Sequence, residues 1–229
     1  MDRVIITGSK GCLGTEISSY LRSKDYKVID CDLQLGHDLT DESFVKDFFH
    51  NNPAKYLVNL YALNPHVDQA ATINLFNISL SSIDAYLRVN LTSLFSVCRE
   101  FAKFNEVGGI INLSSTYGIV SPRHYMYEKG KEKHIGYCVS KAAVAHMSKC
   151  LAISLAPNIR VNCIAPGGVG FSPSNEASKN FIEMYEKETP MGRMMKVDEL
   201  NGFVEYLCSD KSSYCTGSIF NIDGGWTSW

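Results

Sequence analysis

The feature that most constrains this chain is an alternation: short runs rich in β-branched residues are separated by longer stretches of helical period. The runs are Arg3–Thr7, Lys27–Asp30, Tyr56–Leu60, Gly109–Ser114, Arg160–Ile164 and Ser218–Ile222. Between them the period predicts helices near Cys12–Ser23, Asp41–His50, Ser81–Phe104, Tyr137–Ala156, Phe181–Lys187 and Val197–Cys208. Strands spaced by helix-length segments cannot close as hairpins, but they can pair in parallel with crossover helices on both faces. The expected class is α/β, a doubly wound parallel sheet flanked by helices on both faces. The chain has 229 residues, 45% of them apolar, which is enough to bury one sizeable core. No repeat, low-complexity tract or Pro/Ser-rich linker divides it, so residues 1–229 read as a single domain.

Two segments interrupt the rhythm. Val120–Ile135 carries Tyr125, Tyr127, Glu128, Lys129, Lys131, Glu132 and Lys133 around Gly130, and Gly167–Pro190 is rich in Gly, Ser, Asn and Pro. Each follows a predicted strand end, where open α/β sheets bind ligands, so both are read as substrate loops. Lys and Arg number 22 against 24 Asp and Glu, a formal charge of −2. That balance supplies no basic field for nucleic acid or an anionic membrane, and the expected partner is a small molecule. Met1-Asp2-Arg3 runs straight into the first strand with no leader, and no stretch of 18 apolar residues follows, so the expectation is a soluble cytoplasmic protein. The eight cysteines contain no C-x-x-C pair and read as reduced, mostly buried thiols, with no metal site.

Thr7-Gly8-Ser9-Lys10-Gly11-Cys12-Leu13-Gly14 ends a strand and opens a helix, the setting in which glycines let a backbone approach a pyrophosphate at a helix N-terminus. The sheet is therefore expected to be of Rossmann type, binding a dinucleotide. Asp32 follows the second strand, 18 residues beyond Gly14, where a carboxylate accepts the adenosine ribose hydroxyls. An acid there repels a 2′-phosphate and favours NAD over NADP, with Lys10 partly offsetting the repulsion. Asp38, in the loop before the second helix, is placed to reach the adenine edge.

Tyr137 and Lys141 are spaced i, i+4 at the start of a long apolar helix, which puts them on one face. A neighbouring ammonium favours phenolate over phenol and so prepares Tyr137 to exchange a proton with a substrate hydroxyl. Tyr-x-x-x-Lys also occurs at Tyr20/Lys24, Tyr125/Lys129 and Tyr127/Lys131, but only Tyr137 leads into Ala142-Ala143-Val144-Ala145 and a long helix.

With these motifs the chain resembles the short-chain dehydrogenase/reductase family over nearly its whole length. Ile111-Asn112-Leu113-Ser114-Ser115 is similar to the family's serine strand, Val89-Asn90-Leu91 to its asparagine helix, and Arg160 to Gly168 to its Pro-Gly stretch. Ile222-Asp223-Gly224-Gly225 is similar to its closing signature. The resemblance implies a catalytic tetrad of Asn90, Ser115, Tyr137 and Lys141. It implies cofactor contacts from Gly8 to Gly14 and from Asp32, Asp38, Leu39, Asn59 and Ala62. Tyr137, Lys141, Pro166, Gly167, Gly168 and Val169 complete the cofactor set. Ser115 would hold the substrate oxygen, and Lys141 would lower the phenol pKa and bind the nicotinamide ribose. Asn90 would hold a water linking Lys141 to solvent.

Three departures stand out. Cys12 occupies the family's middle glycine, Asn59-Leu60-Tyr61-Ala62 replaces Asn-Asn-Ala-Gly, and Ser115 and Tyr137 are 22 residues apart, the surplus being the 120–135 segment. The combination looks most like bacterial flagellin-modification and legionaminate-pathway oxidoreductases, which implies a sugar or sugar phosphate substrate in surface-glycan biosynthesis. Arg123, His124, Lys129, Lys131, Lys133 and His134 offer donors for a phosphate or carboxylate. Two other readings stay open, a sugar-nucleotide epimerase or dehydratase using NAD transiently and a non-catalytic dinucleotide sensor. Family members pair through the long helices, so a homodimer or homotetramer joined at 81–104 and 137–156 is expected, with His146, Met147 and Cys150 as candidate contacts.

Overall fold

A computed structural model describes residues 1–64 and 74–229 of the chain. Six parallel strands form one sheet: β1 (Arg3–Thr7), β2 (Lys27–Cys31), β3 (Tyr56–Asn59), β4 (Gly108–Leu113), β5 (Ile159–Pro166) and β6 (Ile219–Ile222). Their spatial order is β2-β1-β3-β4-β5-β6. The chain moves outward from β1 to β2, then crosses back to β3 on the other side of β1. The carboxyl ends of β1 and β3 therefore diverge at a switch point, the crevice in which doubly wound sheets hold ligands.

The helices are α1 (Cys12–Ser23), α2 (Glu42–Asn51), α3 (Leu80–Leu87), α4 (Ser93–Phe104), α5 (Ile135–Leu155), α6 (Glu176–Glu188) and α7 (Asn201–Leu207). Because both faces of a parallel sheet are covered, its strands are apolar at successive positions rather than alternately. Ile5, Leu57, Ile110, Val161 and Cys163 pack with Val45 and Phe49 of α2, Val97 and Phe101 of α4, and Val144 of α5. On the other face Val4, Ile6, Val58, Ile111 and Ile164 meet Ile17 and Leu21 of α1 and Val204 and Leu207 of α7. Burying each such side chain contributes roughly 1.5–3 kcal/mol, so the two layers fix the sheet before any site chemistry is considered.

The predicted helix Ser81–Phe104 is in fact two helices joined by a π turn at Arg88–Thr92, with Asn90 inside it. The extra residue is held in place by the Asn90 side chain, which accepts from Leu63 N at 2.7 Å and donates to Leu63 O and to Ser140 Oγ. The Gly167–Pro190 segment is also less irregular than its composition suggests. Asn175 and Ser178 form a reciprocal capping box that starts α6. Val120–Ile135 carries one 3₁₀ turn at His124–Met126 and is clamped by a third apolar cluster of Met126, Tyr185, Met194 and Trp226.

Among the described residues no helix is long and apolar enough to cross a membrane, and no group of three or more His, Cys, Asp or Glu could hold a metal. All eight cysteines are free thiols. Cys31, Cys98, Cys163 and Cys208 are buried, Cys138 and Cys215 half-buried, and Cys12 and Cys150 exposed.

Candidate active site

The glycine turn is built by close backbone approach. Gly8 has φ +71°, and a Cβ there would strike the backbone of Tyr61, while one on Gly14 would overlap the Gly8 carbonyl oxygen. Helix α1 is preceded at its N-cap by Gly11, which offers no side-chain cap, so first-turn N–H groups are left for water or an anion. The buried Ser9 hydroxyl has no protein partner. An uncapped helix start beside a turn with no room for side chains is a fit for a dinucleotide pyrophosphate.

At the adenosine end, Asp32 is 8% exposed and accepts from Lys10 N at 2.9 Å and Gln34 N at 2.8 Å. A carboxylate has about four acceptor positions, so two remain for a ligand. The Lys10 ammonium is turned to Asp30, 3.0 Å away, which also receives Arg22. These cations hold the Asp30 carboxyl below its usual range against the opposing effect of burial. Asp38 lies exposed, its Oδ1 accepting from both Thr40 N and Thr40 Oγ1, and the Leu39 side chain is buried in the core. Only the backbone of Leu39 can meet a ligand.

Asn59 requires a correction. Its side chain accepts from Thr7 Oγ1 at 2.9 Å and donates to Asn112 Oδ1 at 2.9 Å, and Asn112 in turn donates to Ser148 Oγ at 3.0 Å. Because Thr7, Asn59 and Asn112 are register partners on β1, β3 and β4, the amides form a chain across the buried sheet. The Asn59 amide is committed to the sheet and leaves nothing to offer a cofactor.

Beyond the strand ends lies a cavity of about 440 Å³. One wall is the glycine turn, Gly8, Gly11, Cys12, Leu13 and Gly14, and another is Pro166-Gly167-Gly168-Val169. Ala62, Ser115, Tyr137 and Lys141 face the same space, so the sequence motifs for cofactor and chemistry converge on it. The β4 strand ends at Leu113, and Ser115 follows in extended conformation, its Oγ accepting from Tyr117 N at 3.2 Å. Tyr137 and Lys141 descend from the first turns of α5. Lys141 is 4% exposed and donates to Leu113 O at 2.7 Å, with Nζ 5.9 Å from the Tyr137 ring centre.

The electrostatics differ from the sequence expectation. Burial pushes the Tyr137 phenol up, and a hydrogen bond with Ser115 only opposes that shift. Burial also brings the Lys141 ammonium down to about 8, since a charge withdrawn from water favours its neutral form. In the protein alone the net effect on the phenol is therefore upward. The Asn90 amide ties Leu63 to Ser140, both of its N–H donors being used, which leaves one acceptor position on Oδ1.

The 120–135 segment divides by what its charges touch. Arg123 pairs with Glu188 and lies over the Trp226 ring, and Lys131 pairs with Glu128. His124 and Lys129 border other grooves. His134 is buried and caps α5 by accepting from Gly136 N at its Nδ1, with Nε2 2.9 Å from Ser82 Oγ. Of the six cationic residues read as anion donors, only Lys133 lines the cavity.

Several cavity residues lay outside the motif reading. Tyr185 accepts a 2.6 Å hydrogen bond from Gly168 N and stacks on Trp226 at 4.2 Å, and Phe181 sits one helical turn before it. Their i, i+4 spacing within α6 is a visible signal, obscured by the polar composition around it. Tyr127, from the segment read as a substrate loop, also faces the cavity, as do Tyr117 and Asn64, which no sequence pattern announces.

A family model described as Enoyl-(Acyl carrier protein) reductase matches residues 17–227. The 3-oxoacyl-[acyl-carrier-protein] reductase FabG of Aquifex aeolicus is 28% identical over 228 residues, 97% of this chain and 86% of that protein. Post-translational flagellin modification protein A of Campylobacter coli is 33% identical over 156 residues, 66% of this chain and 59% of that protein. Among solved structures, the short-chain dehydrogenase of Leptospira borgpetersenii with bound NAD+ superposes with a TM-score of 0.85 at 28% identity, covering 99% of this chain and 92% of that one. The chain belongs to the short-chain dehydrogenase/reductase family of oxidoreductases.

Proposed function

We propose that the protein interconverts a secondary alcohol and a ketone on a sugar or sugar phosphate, using NAD in preference to NADP. The observation that carries this reading is the convergence of Ser115, Tyr137 and Lys141 on one cavity whose opposite wall is the glycine turn. Gly8 to Gly14, Asp32, the backbone of Leu39, and Gly167 to Val169 would hold the dinucleotide. When bound, its nicotinamide supplies the acceptor or donor of the hydride. Ser115 holds the substrate oxygen by a hydrogen bond, and Tyr137 accepts the hydroxyl proton in oxidation or returns it in reduction. Lys141 orients the site from beneath through Leu113 O. Asn90 acts as a positioning residue, fixing Leu63 and the start of α5.

NAD is favoured because Asp32 keeps open acceptor positions for ribose hydroxyls while Lys10 is already paired with Asp30. The sugar assignment draws on Tyr127, Phe181 and Tyr185, whose rings and hydroxyls suit a polyhydroxylated ring, and on the likeness to the C. coli flagellin modification protein. We assign the protein to surface-glycan biosynthesis in the cytoplasm, working as a homodimer or homotetramer. Phe95 on α4 and Val139 and Ile153 on α5 expose apolar surface for such pairing, with His146 and Cys150 also outward and Met147 turned to the core.

The test is Tyr137→Phe assayed at 340 nm against sugars and sugar phosphates. Turnover should fall by about 10²- to 10⁴-fold, the usual contribution of a positioned acid or base, with NADH binding retained. Normal turnover by the variant refutes the assignment. Product formation by the wild type without any net change at 340 nm would favour epimerisation instead.

A further inference from the structure

Lys133 is the one cation of the 120–135 segment that faces the cavity, and nothing in the proposed reaction uses it. Its Nζ lies 4.0 Å from the centre of the Tyr137 ring and donates to Asn64 Oδ1 at 2.6 Å. Asn64 is neutral, and no carboxylate pairs with Lys133 among the described residues. An exposed lysine of this kind would extend its four-carbon stem and put the ammonium in bulk water. Here it is turned inward and half-buried, and burial brings it down to about 8.

Among the described residues the cavity offers no internal counterion. Its described lining contains Lys133 and Lys141 but no Asp or Glu. The proximity of Lys133 lowers the Lys141 pKa further, as two ammonium groups sharing one low-dielectric space must. Lys141 is spoken for by Leu113 O, beneath the reacting phenol, whereas Lys133 sits over the phenol ring on the side of the inserted segment. Partial withdrawal from water disfavours the ammonium, and an incoming anion would offset that.

We propose that Lys133, with Asn64, is the receptor for an anionic group on the substrate, a carboxylate or phosphate carried within a few bonds of the reacting carbon. The proposal rests on the oxidoreductase reading above and narrows its substrate class to acids or phosphate esters. Neutral polyols are excluded as the preferred substrate.

The test titrates sodium phosphate and sodium acetate, against sodium chloride at matched ionic strength, into the protein alone and into its NADH complex. Binding is read by calorimetry and by the rise in melting temperature. Lys133→Met should weaken the tighter anion by at least about tenfold, the loss expected for one charge-assisted hydrogen bond, and Lys133→Arg should restore most of it. NADH affinity should be the same in all three proteins. A response to phosphate alone assigns a phosphate ester, and a response to acetate alone assigns a carboxylate. Equal affinity of wild type and Lys133→Met for both anions overturns the proposal, as does loss of NADH affinity in step with loss of the anion. If the wild type binds neither NADH nor NADPH, the oxidoreductase reading falls, while the titrations of the protein alone still decide the role of Lys133.

Discussion

Replacing Lys141 by Met should cost activity and raise stability, with a pH signature that identifies the cause. The ammonium titrates near 10.5 in an unfolded chain and near 8 in the folded one. Two and a half pKa units correspond to roughly 3 kcal/mol by which the native state disfavours the charged form. Met matches the stem in length and removes this penalty, but it leaves Leu113 O without its donor, at a cost of about 1–3 kcal/mol. At pH 7 the variant should therefore be as stable as wild type or up to roughly 2 kcal/mol more stable. The sign of the pH dependence follows from proton counts. Between pH 8 and pH 10.5 the unfolded chain holds the lysine proton and the folded chain has lost it, so wild-type stability rises with pH through that window relative to the variant. From pH 7 to pH 9 the variant's relative stability should shrink by roughly 1 kcal/mol. Urea unfolding of both proteins at the two pH values measures this directly, and the high thiol pKa values cancel in the difference. An identical difference at pH 7 and pH 9 would refute the claim that burial lowers the Lys141 pKa.

Two further substitutions separate neighbouring roles. Asp32→Ala should shift the NADPH-to-NADH affinity ratio toward NADPH by about tenfold or more, since it removes both the ribose acceptor and a negative charge, and parallel fluorescence titrations measure it. An unchanged ratio would mean that Asp32 serves the glycine turn alone. Asn59→Ala should destabilise the fold by about 2–4 kcal/mol, because it strands the Thr7 hydroxyl and an Asn112 acceptor in a dry sheet. NADH affinity at low temperature should remain as in wild type, and a selective loss of NADH binding would return Asn59 to the cofactor.

The elements that sequence reading placed correctly are those whose pattern is local. Helix α1 and strand β1 are bounded by the glycine turn, which marks both of their ends, and α5 is announced by its apolar run. Tyr137 was separable from three other tyrosines of identical spacing because only it precedes such a run. The π turn at Asn90 was invisible, since it depends on Leu63 and Ser140, residues 27 and 50 positions away. For the same reason the charges of the inserted segment could not be sorted: Arg123 is neutralised by Glu188, and His134 is buried against Ser82 of α3. Asn59 misled because its motif position was right while its partners, Thr7 and Asn112, are set by strand register. The upward push on the Tyr137 phenol was not legible because it comes from depth of burial, a property of the whole fold.

The π turn also bears on how this chain tolerates length changes. An α-helix rotates about 100° per residue, so one residue gained or lost at Arg88–Thr92 changes the phase between everything before and after it. Tyr86 on α3 must face His134 and Tyr137, while Val97 and Phe101 on α4 must face the sheet. The π turn is the gear that keeps these two faces in step. A single residue removed at Asn90 would turn α3 against α4 and carry Tyr86 away from His134 and Tyr137.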